Sequence, residues 1–132
     1  MNLLRRALGI GALLLFLLSA PLVAIPQTIV EGVMGQTGSP DTVWIRLFGA
    51  AGIALALFHV LISRKLEDLW WWSWALVIFN GLISLIALIH VSTGLSDGSA
   101  AWPWWLLGAT AALFTALFVV GLAKAGQEKP FA

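Results

Sequence analysis

Cysteine is absent from the chain, and charge of either sign is scarce: of 132 residues, 7 are Lys or Arg and 6 are Asp or Glu. Without cysteine there are no disulfides, thiolate nucleophiles, iron–sulfur clusters or Cys-based zinc sites. A formal net charge of +1 offers no concentrated basic surface for nucleic acid. No acidic residue falls inside any long apolar run, so the carboxylate that couples proton or cation movement in small exporters is missing. Two matching halves with interrupted helices, the mark of an inverted-repeat transporter, are also lacking. So are a phosphate loop, an HExxH motif and a nucleophile–base–acid set, which argues against an enzyme.

What the chain has in abundance is apolar surface. Its residues are 61% hydrophobic and its mean hydropathy is +0.98, where a soluble domain is about 45–50% apolar. A domain of this size leaves much of its surface exposed, so that surface must face lipid. Spanning about 30 Å of hydrocarbon takes roughly 20 apolar residues in a helix. Four segments qualify: 7–25, 43–62, 69–91 and 101–123. None shows strand-like alternation, so the expected fold is an all-α antiparallel bundle of four transmembrane helices in a single membrane domain.

Arg5, Arg6, Arg64, Lys65, Lys124 and Lys129 fall on one side if the helices alternate, and only Arg46 falls near the other. The positive-inside rule then puts both termini in the cytoplasm of a cell inner-membrane protein. Trp70, Trp71, Trp72 and Trp74 read as one interfacial belt, and Trp44, Trp102, Trp104 and Trp105 as the other. Residues 1–24 also resemble a secretory signal peptide, whose removal would leave three helices. Pro21 after the Leu18-Ser19-Ala20 candidate site, and bulky Leu22 before Ala24, favour an uncleaved first helix.

Local signals set the expected boundaries. Pro21 and Pro26 weaken or end the first helix, Asp68 can cap the third, and Pro103 suits the first turn of the fourth. The short link 63–68 implies that the second and third helices pack against each other as a hairpin. The outer loop 26–42 contains Ile29 with Val33 and Val30 with Met34, spaced to share a short helical face. The polar tail 126–132 is expected to be mobile. Gly108, Ala112 and Ala116, Gly52 and Ala56, and Ala7 and Gly11 form small-residue seams suited to close helix packing, within the chain or between subunits.

Few polar groups could carry chemistry. Arg46 lies about one turn inside the second helix, beneath loops carrying Glu31, Asp41 and Asp97. An Arg46–carboxylate clamp, with Asp41 nearest in sequence, is favoured over an outward-facing pocket for an anionic headgroup. His59 and His90 could each ligate a pigment magnesium or a haem iron. At ~1.5 Å per residue, His59 lies about 24 Å below Val43, so the two imidazoles are roughly 20 Å apart in depth and share no cofactor unless a second chain contributes. Asn80, near mid-depth, is expected to hydrogen-bond across the bundle opposite Gly52. Ser73, Ser84, Thr110 and Thr115 can return their hydroxyls to their own helix.

The stretch from Trp44 to Gly52, with Arg46 three residues before Gly49, resembles small, uncharacterised four-helix inner-membrane proteins of bacteria. That resemblance implies a fold and no activity. Together these features lead to a non-catalytic accessory or structural subunit of a larger membrane complex, contacting lipids, pigments or partner helices. The alternatives are a small transporter or anionic-ligand protein with its site at Arg46, and a pigment- or haem-binding subunit using His59 or His90.

Overall fold

The computed structural model describes residues 1–36, 42–94 and 99–128. Among these, all regular structure is helical, and four helices are long and apolar enough to cross a membrane. They are α1 (Asn2–Ala24), α2 (Val43–Arg64), α3 (Ser73–Thr93) and α4 (Trp102–Glu128). Short turns lead into α3: a helical turn at Leu66–Leu69, then a 3-10 turn at Trp70–Trp72. The apolar span that ends at Thr93 therefore starts at Leu66.

The ends of the helices follow from local chemistry, with some departures from expectation. Pro21 lies inside α1 and does not end it. The helix stops at Ala24 because Ile25 precedes Pro26 and is held out of the helical region, at φ −134° and ψ 54°. Pro26 opens the next turn, Pro26–Thr28, where a missing amide hydrogen costs nothing. A π-helical turn, Ile29–Val33, follows with Val30 buried, which realises the expected short helix in this loop. Asp68 makes no side-chain cap; it lies with Glu67 in the first turn of Leu66–Leu69, where their charge suits the helix dipole. Gly94 ends α3 at φ +109°, a conformation that residues with a Cβ rarely adopt. At the far end, α4 continues to Glu128, so 126–128 of the expected tail are helical.

Packing joins the helices in two pairs, α1 with α2 and α3 with α4, and α1 also meets α4. The first seam runs from Gly49, against Leu22 and Val23, through Gly52 against Ser19, to Gly11 against His59. Residue numbers rise on α2 as they fall on α1. The second seam pairs Gly108 with Ala87 and Leu88, and Thr115 with Gly81. The expected hairpin of α2 against α3 does not form, because α2 and α3 are scarcely in contact. The turns at Leu66–Leu69 and Trp70–Trp72 lead the chain away, leaving α1 and α4 to join the two pairs.

The buried core lies toward the end that carries the termini. Leu4, Leu8, Ile62, Leu66, Trp70, Leu76, Phe118 and Leu122 belong to one cluster, and Gly121 packs on Leu4. Trp70 is thus a core residue rather than part of a belt, while Trp71, Trp72 and Trp74 are exposed beside it. At the same end the Met1 amine pairs with Glu128 at 2.8 Å. At the opposite end, the amide of Ala100 donates to the Met34 carbonyl at 3.0 Å and ties the two long connections together.

Candidate functional site

A shallow hollow with polar lining lies where α1 ends and α2 begins. The helix breaks at Ile25, and residues 24–28 lie beside Thr42 and the first turn of α2. Ala24, Ile25, Pro26, Gln27, Thr28, Thr42 and Arg46 line a shallow, open hollow of about 210 Å³. Arg46 is the fourth residue of α2, fixed by its amide donating to the Thr42 carbonyl at 3.0 Å. Its side chain is exposed. Among the described residues Arg46 has no ion-pair partner.

The expected clamp is therefore not made by Glu31. That carboxylate instead accepts from the Gln27 amide at 3.0 Å, one turn earlier on its own segment. Asp41 and Asp97, the other two candidates, lie outside the described residues. A guanidinium offers five donors in a planar fork suited to phosphate or carboxylate. Here Gln27, Thr28 and Thr42 line the same hollow, and the Gln27 amide is engaged with Glu31. Gln27, Thr28, Thr42 and Arg46 are the residues with polar side chains among those that line it.

The histidines sit in different surroundings. His59 is only 2% exposed, with Nδ1 at 2.7 Å from the Leu55 carbonyl and its ring 5.8 Å from that of Phe118. With Nδ1–H donating, Nε2 would be the free ligating nitrogen. That edge faces Gly11, where an added Cβ would lie 3.3 Å from Nε2. A planar macrocycle has no approach without parting α1 from α2, so these residues do not fit a haem or pigment. His90 is partly exposed and meets Trp104 edge to face, with centroids 4.5 Å apart. Among the described residues, no group of three His or carboxylate side chains could hold a metal ion.

Two readings of polar residues are reversed by the packing. Asn80 does not reach across the bundle; its amide donates to the Leu76 carbonyl of its own helix at 2.9 Å. Ser84 does cross, donating to the Gly108 carbonyl of α4 at 2.9 Å from a buried position. A sequence signal for Ser84 existed in the three-residue spacing of Gly81, Ser84 and Ala87. Thr115 returns to its own helix, at Ala111, as expected.

The small-residue seams are partly realised. Gly52 and Ala56 are buried in the seam with α1, as are Ala7 and Gly11 on the facing helix. Gly108 is buried in the seam with α3, but Ala112 and Ala116 are exposed. They line an open apolar groove of about 530 Å³ between α3 and α4, with Gly81, Ser84 and Thr115.

Comparison with protein-family models, with curated proteins and with solved structures finds no match to this chain. Fold and site geometry are therefore what a functional reading rests on.

Proposed function

We propose that the chain is a multi-pass membrane protein, an antiparallel bundle with both termini on the cytoplasmic side, serving as a non-catalytic accessory subunit of a larger membrane complex. One observation carries this reading: the groove between α3 and α4 leaves Ala112 and Ala116 exposed and Gly81 and Thr115 half-buried, with Leu85, Leu88, Val119 and Val120 along its sides. Lipid covers any apolar face, so exposed Leu and Ile alone call for no partner. Small residues differ, because close backbone approach is what drives helices together in a bilayer. The contact pairs of α1 with α2 and of α3 with α4 support the antiparallel arrangement.

Gentle extraction into a mild detergent tests the proposal. The chain is expected to migrate with an assembly much larger than its own 14.2 kDa. The double substitution Ala112→Leu and Ala116→Leu should release it as a folded single chain. Migration alone in the mildest detergent, unchanged by the substitution, would overturn the reading.

The hollow at Arg46 favours a second reading, in which the chain binds an anionic group at the end opposite its termini. It rests on an exposed guanidinium beside Gln27, Thr28 and Thr42. Loss of anion binding on Arg46→Ala is the expected result; undiminished binding would dismiss it.

A further inference from the structure

The hollow at Arg46 sits at a boundary between two surfaces. Its polar lining comes from Gln27, Thr28 and Thr42 beside Arg46. Around it, Ile25, Val43 and Trp44 are at least half exposed. Beneath it, Ala50, Ile53 and Leu57 follow Arg46 at intervals of four, seven and eleven residues and continue along the same side of α2. Ala50 and Leu57 are exposed and Ile53 is partly so. Arg46 itself lies one turn inside an apolar span, the depth at which headgroup phosphates meet hydrocarbon.

We propose that this hollow takes the phosphate of a membrane phospholipid. The inference deepens the second reading above and rests on it. Arg46 is the charged contact, since its fork can hold two phosphate oxygens at once. The Thr28 and Thr42 hydroxyls can supply donors for the others, as can the second amide hydrogen of Gln27, whose first is held by Glu31. The acyl chains then lie along α2 past Ala50, Ile53 and Leu57. A carboxylate or phosphate free in water would satisfy Arg46 equally well. It would make no use of the apolar side of α2 that continues from Arg46 through Ala50, Ile53 and Leu57, along which the acyl chains of a lipid held here lie.

The test uses the full chain, delipidated in a mild detergent, with lipid retention read by native mass spectrometry. The probes are short-chain phosphatidylglycerol and inorganic phosphate. The expected result is one tightly held phosphatidylglycerol per chain, reduced about tenfold or more by Arg46→Ala. Arg64→Ala, at the other end of α2, should change retention by less than about twofold. Millimolar inorganic phosphate should not displace the lipid. Arg46→Lys keeps the charge without the fork and should hold lipid several-fold more weakly than wild type. It also serves as the variant of record if Arg46→Ala loses its helical circular dichroism.

Equal retention by wild type and the Arg46 variants would overturn the proposal, as would equal losses from Arg46→Ala and Arg64→Ala. If inorganic phosphate binds in an Arg46-dependent way and the lipid does not, the anion reading survives and the lipid assignment falls.

Discussion

Ser84 and Asn80 lie one helical turn apart on α3, and both are polar groups in an apolar span. Their roles are opposite, because Ser84 bonds to Gly108 on the neighbouring helix while Asn80 bonds within its own. Hydrogen bonds between membrane helices contribute about 0.6 kcal/mol on average and at most about 1.7. Ser84→Ala should therefore lower the stability of the micellar protein by roughly that range, measured by reversible unfolding. Asn80→Ala should cost less, since the Leu76 carbonyl keeps its helical partner; a larger loss than for Ser84→Ala would refute the assignment. The sequence could not separate these two. A carbonyl four residues back is open to every serine and asparagine in a helix, and only the approach of Gly108 offers Ser84 something better. Arg46 was legible as the residue out of place in an apolar run, whereas its neighbours Gln27 and Thr28 depended on how the chain turns at Ile25.

At the scale of the helix, the seams decide which small residues matter. A Cβ at Gly49 would lie 2.8 Å from the Ser19 carbonyl oxygen, and one at Gly52 would collide with the Ser19 side chain. Gly52→Leu should therefore cost about 1–3 kcal/mol or more, as overpacked interiors do. At Gly108 an added Cβ would meet Leu88 at 3.1 Å, so Gly108→Leu should also be destabilising. Ala112→Leu, four residues on but exposed, should change the stability of the isolated chain by less than about 0.5 kcal/mol. Thermal or denaturant midpoints of the three variants in one detergent check the order; equal losses at Gly108 and Ala112 would contradict it. Gly94 poses a different constraint, because its φ of +109° is strained for any residue with a Cβ. Gly94→Ala should cost about 1–3 kcal/mol despite open space around it.

Among the described residues, the two helix pairs share a core that runs from mid-helix, where Gly11 meets Phe114, to the terminal end, where Leu4 seats on Gly121. Gly121→Leu should loosen α1 from α4 while leaving each pair intact, which crosslinking between α1 and α4 set against crosslinking between α1 and α2 can separate. The proposed orientation is open to direct measurement because the chain has no cysteine of its own. In intact cells stripped of their outer envelope, Gln36→Cys should react with a membrane-impermeant maleimide. Gln127→Cys should react only after permeabilisation. The reverse pattern would invert the topology.

The sequence alone determined that the chain is helical and has four stretches able to cross a bilayer, because hydrocarbon tolerates no unpaired backbone and sets a minimum apolar length. It also marked the break after α1, since Pro26 acts on the residue beside it through bonded geometry, though Pro21 stays inside the helix. It did not determine which helices touch. Adjacency across the short 63–68 link argued for α2 on α3, yet the turn at Trp70–Trp72 carries α3 away and α1 meets α4 instead. In lipid, apolar faces are nearly equivalent partners, so the choice falls to close backbone approach at particular glycines. That depends on the rotation of each helix about its own axis, which no spacing within one segment encodes. The same tertiary choice buried His59 and Trp70, left Ala112 and Ala116 facing outward, and gathered Gln27, Thr28, Thr42 and Arg46 around one hollow.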